Sequence, residues 1–279
     1  MVVAESSSAG TGTGDAGVTE AVLADLRDEG EALEGLVAGL DAEAWALPTP
    51  APRWTVAHQI AHLAWTDEQS LLAATDEPAF REASQAALAA PDTFVDEGAD
   101  AGAAQPPGRL LERWRAGREE LLRVLGGVPQ GRRIAWYGPS MSAAGMATAR
   151  IMETWAHGED VAEALGVPRD PTQRLRHVVR IGVRARDFAY AVRGLEPPSE
   201  PFRVELVGPG GQLWAHGPED AAQRVTGDAV GFCRLVTQRV HRDDAGLRAE
   251  GADAQRWLEI AQAFAGPPGE GRERKEAQR

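Results

Sequence analysis

Two short segments carry residues able to do chemistry together. In WTVAHQIAHLAW, His58 and His62 stand four residues apart; in METWAHGED, Glu153 and His157 do the same. Residues at i and i+4 lie one turn apart on the same helix face. If both faces turn inward, His62, Glu153 and His157 converge as two imidazoles and one carboxylate, with a coordination position left open. That set suits a catalytic-type zinc site, or a facial triad for another divalent metal. The competing reading is ordinary polar helix surface. Against it, three of the six histidines fall in these segments. Ile151, Met152, Trp155, Val161, Ala164 and Leu165 also make the second segment apolar enough to be buried, where unpaired polar groups are costly.

These residues need helices to hold them. Apolar residues from Val18 to Leu40 recur at three- and four-residue steps, a helical stripe. Thr55 is the expected N-cap of a helix from Val56 to about Ala74, which Asp76 to Pro78 ends, with a shorter helix opening there. Residues 89–108 read as a long loop, and loops of that length are often functional. A helix over Arg109 to Leu125 and a loop over Gly126 to Ser142 follow. The longest helix then runs to Leu165, capped by Gly166. Four helices so connected predict a bundle. After Pro171 come a helix over Thr172 to Leu195 and a β-hairpin over Phe202 to Gly217. Two helices, Asp228 to Val240 and Asp253 to Gly266, flank a short strand over Leu247 to Glu250. The fold class is therefore α+β, mostly α. The expected divisions are 18–170 and 171–266, with tails at 1–17 and 267–279.

Composition narrows the partners. A formal net charge of −13 opposes nucleic-acid binding, which needs a basic footprint, and anionic membranes. No stretch is apolar enough to span a bilayer, and the N-terminus lacks signal-peptide features. The single Cys233 precludes an internal disulfide, so the chain is expected to be cytoplasmic. It reads as a small core residue, with a reactive thiol as the alternative. The partner expected is a small molecule, acting on a monomer or homodimer. Trp136, Tyr137, Ser140 and Met141, in the loop before the long helix, are candidate substrate-binding residues; an aromatic cap on the core is the other reading.

RWTVAHQIAHLAW resembles the first motif of the DinB-like, mycothiol-dependent maleylpyruvate isomerase superfamily, and ARIMETWAHGEDVAEALG resembles the second. The resemblance extends from about Val18 to Gly266. It implies an N-terminal four-helix bundle and a C-terminal module like the sterol-carrier-protein fold. Carried over by residue, it makes His62, Glu153 and His157 metal ligands, most simply of zinc. It gives Asp160 an acidic position suited to bonding a ligand imidazole. Arg239 matches a catalytic arginine and could clamp a substrate carboxylate, with Arg234 as the alternative. His58 has no ligand role in the motif and is a candidate catalytic residue beside the metal. Mycothiol is the implied co-substrate: the metal would activate its thiol for addition to an electrophile, giving an isomerase or a transferase. Two other readings stand beside this one. The first is a thiol-independent metal enzyme, an isomerase, lyase or cyclase on a specialised metabolite. The second is a non-catalytic small-molecule binding protein.

Overall fold

The computed structural model describes residues 12–89, 93–269 and 271–274. Its helical layer comprises α1 (Gly12–Val37), α2 (Ala42–Trp45), α3 (Val56–Thr75), α4 (Glu77–Ala89), α5 (Phe94–Ala103), α6 (Pro107–Gly126) and α7 (Ala143–Leu165). The four long helices pack together, α3 on α6 and α7, and α1 on α7 and α6. Two apolar clusters fill this layer. One surrounds Leu33, Ile60, Trp114 and Val161; the other surrounds Val22, Phe80, Leu125 and Met146. Gly166 takes φ +65°, and its left-handed backbone turns the chain out of α7.

The remainder forms α8 (Leu175–Arg184), α9 (Arg186–Ala191), β1 (Phe202–Val207), β2 (Leu213–His216), β3 (Gln223–Asp228), α10 (Ala229–Val236), β4 (Arg248–Glu250) and α11 (Ala252–Ile260). The sheet order is β2-β1-β3-β4, with β1 antiparallel to β2 and parallel to β3. Its core includes Val204, Val225, Phe232, Cys233 and Trp257. The same core takes in Met152, Trp155 and Ala156 of α7, so one helix serves both layers. Cys233 is fully buried. Burial, with the charges of Asp228 and Glu159, pushes its thiol well above the usual range, so it is a core residue and not a reactive one.

Several expectations need correction. The span 89–108 contains helix α5, placed by the close approach of Gly98 to Trp65 and of Gly102 to Ala61; a Cβ at either glycine would overlap those side chains. Residues Gly12 to Gly17, expected in the N-terminal tail, belong to α1, while 1–11 lie outside the described residues. The helix over Thr172 to Leu195 is two shorter ones meeting at Ala185. Central strand β3 was not anticipated: only Val225 of QRVTGD is buried, so the strand lacks a hydrophobic alternation.

Candidate metal centre

Buried polar side chains form a stripe on each of two facing helices. On α3 it runs through Gln59, His62, Thr66 and Ser70, and on α7 through Arg150, Glu153, His157 and Asp160; all are buried except half-buried Glu153. Both follow three- and four-residue steps, so each stripe is one helix face. The hydroxyls of Thr66 and Ser70 donate to carbonyls one turn back. Arg150 Nε donates to Asp67 Oδ1 at 2.8 Å in a buried ion pair that ties α3 to α7.

Between the stripes, Glu153 Oε2 lies 3.4 Å from His62 Nε2 and 3.2 Å from His157 Nε2. Donors sharing one tetrahedral zinc ion with bonds of about 2.1 Å stand about 3.4 Å apart.

The proton positions strengthen the fit. The carbonyl of Trp54 can only accept, so the Thr49 hydroxyl, 2.8 Å away, donates to it. Thr49 Oγ1 then accepts from the amide of Gln59 at 2.8 Å. This turns Gln59 Oε1 towards His157 Nδ1 at 2.5 Å, where the imidazole must donate. Burial first, then the charge of His62, lowers His157 to about 4, against the raising effect of Glu153. His157 is thus neutral near pH 7, with its Nε2 lone pair facing Glu153. Burial opposes ionisation of Glu153, but the two imidazoles outweigh it, with His62 Nε2 placed to donate, and the carboxyl is held well below its usual range. Lone pairs meeting in this way repel, and a divalent cation between them turns the cost into bonding. His62 Nδ1 is buried without a protein partner.

An aromatic wall encloses the imidazoles. The Trp54 ring lies 5.2 Å from that of His62 and 5.9 Å from that of His157, and Trp65 lies 6.1 Å from His62. Arg53, with φ +67°, turns the backbone to present Trp54. Trp54 Nε1 donates to Asp96 of α5 at 2.9 Å.

The other candidates are placed differently. His58 does not join the cluster. As the third residue of α3 its Nδ1 accepts from the Thr55 backbone N–H at 3.2 Å and meets the Thr55 hydroxyl at 2.8 Å, completing a capping box. Its Nε2 is 3.2 Å from Asp100 Oδ1. Its Nδ1 is thus engaged in the cap and its Nε2 with an exposed carboxylate. Asp160 bonds no ligand imidazole. It accepts from Arg239 Nη2 at 2.9 Å and from Arg272 Nη2 at 2.6 Å. Through Asp160, Arg239 stands one helical turn from His157. Arg234 instead pairs with Glu159 at 2.8 Å.

Trp136 stacks on Phe80, and Tyr137 packs on Phe80, Trp136 and Phe94, with Phe94 in turn against Trp65. Tyr137 donates to Gln69, and burial raises it to about 12. These rings extend the aromatic wall. Met141 pairs with Ile134 in a β-bridge, and the carbonyl of exposed Ser140 accepts from Arg133. Sequence reasoning missed Gln59, Asp67, Arg150 and Arg272. Gln59 and Arg150 could have been found by continuing the polar spacing along each helix; Asp67 lies off that stripe, and nothing local marks Arg272.

Comparison with known proteins follows the same lines. A family model for the mycothiol maleylpyruvate isomerase N-terminal domain matches residues 26–162, which include all three converging residues. A second model, for wyosine base formation, matches residues 198–246. The chain is 60% identical over 250 residues to two Mycobacterium tuberculosis proteins, the uncharacterized proteins MT0041 (strain CDC 1551) and Rv0036c (strain H37Rv); each match covers 90% of this chain and 97% of the other. Crystal structures of the mycothiol-dependent maleylpyruvate isomerase and of a point mutant of it share the fold. For both, the TM-score is 0.56 and the identity 17%, over 83% of this chain and 92% of theirs. The chain therefore belongs to the DinB-like, mycothiol-dependent maleylpyruvate isomerase superfamily.

Proposed function

We propose that the protein is a metal-dependent enzyme in which His62, Glu153 and His157 hold one divalent ion, zinc by its donor set, and that it uses a small thiol, mycothiol, on an electrophilic substrate. The observation that carries the metal is the meeting of the His157 Nε2 lone pair with ionised Glu153, the tautomer being set by Gln59. Family membership supports the thiol. When bound, the ion would supply Lewis acidity and lower the pKa of a thiol or water. A thiol adding to a conjugated double bond would open it to rotation, and its loss would return an isomer; retention would leave an S-conjugate.

The chain's residues do the rest. Gln59 orients His157, and Trp54, Trp65 and Phe94 keep water from the imidazoles. Arg239 brings a guanidinium to the carboxyl-terminal side of His157, where a substrate carboxylate would bind. We assign the metal to residues 18–170 and Arg239 to the α+β part, 171–266. The short wyosine match covers the sheet, α10 and Arg239 but none of the three converging residues, and the net charge of −13 opposes RNA binding. The aromatic wall also favours a second reading, a thiol-independent isomerase, lyase or cyclase whose intermediate must be kept dry.

Metal analysis tests the first part. Purified protein should carry about one divalent ion per chain. His62→Ala, Glu153→Ala and His157→Ala should each lose it, while His58→Ala keeps it; full occupancy in His157→Ala would remove the site. Turnover of an α,β-unsaturated carboxylate with and without mycothiol separates the two readings, since full activity without thiol leaves only the second.

A further inference from the structure

The three most buried carboxylates among the described residues are Glu29, Asp67 and Asp160. Glu29 takes Arg169 on one oxygen and Arg174 on the other, and Asp160 takes Arg272 and Arg239 in the same way. Asp67 takes Arg150 on Oδ1 alone, and its Oδ2 accepts no hydrogen bond from the described residues. A buried acceptor left unpaired is costly.

Thr154 of α7 shows the same vacancy in a hydroxyl. Serines and threonines inside helices commonly bond a carbonyl one turn back. Thr66, Ser70, Thr75, Ser84 and Thr148 all do so. Thr154 does not, and its hydroxyl has no other partner among the described residues, although it is only 4% exposed, as is Asp67. Both side chains form the floor of one cleft of about 710 Å³ that opens between α1 and α6. None of His62, Glu153 and His157 lines it. Its volume lies within the range of about 300–1,000 Å³ common to small-molecule sites.

The walls of the cleft are fixed. Gly30 of α1 lets Arg118 of α6 lie against its backbone, since a Cβ there would stand 2.4 Å from Arg118 Nη1. The same guanidinium stacks on Trp114 at 4.1 Å and pairs with Glu34. The carboxylates of Asp67, Glu31, Glu34, Glu119 and Glu120 face four guanidiniums across the cleft, and Arg150, bonded to Asp67 outside the lining, makes the charge even. A charged ligand would upset that balance. Asp67 Oδ2 needs a donor, whereas the Thr154 hydroxyl can donate or accept, and a ligand hydroxyl meets both demands. Leu26, Leu121 and Leu122 add apolar surface for the C–H face of a ring.

We propose that this cleft is a second binding site, distinct from the metal cluster, for a neutral polyhydroxyl ring compound of sugar-like chemistry. Its hydroxyls bond Asp67 Oδ2 and Thr154 Oγ1 at the floor.

The test is ligand-observed saturation-transfer NMR on the full chain, with methyl α-glucopyranoside as probe. Triethylene glycol dimethyl ether, which only accepts hydrogen bonds, and ethylammonium, which is charged, are the controls. Wild type should bind the glycoside saturably and bind both controls more weakly. Thr154→Val keeps the shape of the floor and removes the hydroxyl. It should weaken glycoside binding about fivefold and leave the urea midpoint unchanged, because that hydroxyl bonds nothing inside the protein. Ala116→Phe, on the exposed wall, should block the cleft and abolish the signal without touching the floor. Equal binding by wild type and Thr154→Val would overturn the proposal, as would full binding by Ala116→Phe. Absence of glycoside binding by wild type, or tighter binding of ethylammonium than of the glycoside, would overturn it too.

Discussion

Asp67 and Asp160 are both buried carboxylates on the interior faces of α3 and α7, and both face arginine. Asp67 meets one, Arg150, from the opposite helix. Asp160 meets two, from the loop after α10 and from the chain's far end. The first arrangement is balanced and lies within the helical layer. It sets the register of α3 against α7, and so the meeting of His62 with Glu153 and His157. The second draws together α7, the loop after α10 and residue 272. The origin of the guanidiniums distinguishes a pair that sets helix register from one that joins distant parts of the chain.

The strongest test breaks the balanced pair. Arg150→Met strands Asp67, whose carboxyl burial already pushes upward against the opposing pull of Arg150. Urea unfolding should show a loss of about 3–5 kcal/mol, and Asp67→Leu with Arg150→Met should recover most of it. A single-mutant cost below about 1 kcal/mol would place the register elsewhere. Asp160→Asn should cost less, about 1–3 kcal/mol, because the amide oxygen still accepts a hydrogen bond from one arginine. Its clearer sign should be proteolytic cutting in residues 261–274, which Arg150→Met should not produce below its unfolding range.

The next effect falls on affinity. Gln59→Leu removes the acceptor that fixes His157, so metal affinity should drop about 10–100-fold in competition with a chelator. Gln59→Glu keeps an acceptor and should retain most of it. Equal affinities for wild type and Gln59→Leu would mean that the tautomer is set by the metal itself.

How far this was legible in the sequence follows from the same contrast. His62, Glu153 and His157 sit on regular helices, where spacing fixes direction, so their convergence could be read from four-residue steps. Arg150 lies on the same stripe, but an arginine in a helix reads as surface charge until its buried partner Asp67 is seen. His58 shared the spacing with His62, but it stands at the helix start, where an unpaired backbone N–H competes for its ring. Helix α5 was hidden by its glycines and alanines: they suggest a loop, yet they are what lets it lie close on α3. Strand β3 and Arg272 depend on tertiary contacts across the chain, the first on pairing with β1 and the second on a bond to Asp160 of α7. No local pattern encodes either.

The smallest effect belongs to a third kind of pair, neither balanced within the helical layer nor placed at the cluster. Asp25 of α1 accepts from His177 of α8 at 2.7 Å and also meets Arg176, joining the two parts of the molecule away from the His62, Glu153 and His157 cluster. Burial raises Asp25, but the bonds from His177 and Arg176 outweigh it and leave the carboxyl lowered. Burial lowers His177 more than Asp25 raises it. Both shifts have the same sign for stability. A lowered imidazole favours the fold above its ordinary value of 6.5 and loses that advantage as the unfolded chain takes up its proton on acidification. A lowered carboxylate favours the fold above its ordinary 3.8 and loses that advantage on further acidification. Stability should therefore decline from near pH 6.5 downward, with this pair supplying less than about 1 kcal/mol because solvent reaches it. His177→Gln keeps a hydrogen-bond donor without the titration, so its unfolding free energy should fall less than that of wild type between pH 7 and pH 5.5. Parallel curves would show that the decline arises elsewhere, and would leave this junction as a plain hydrogen bond between the two layers.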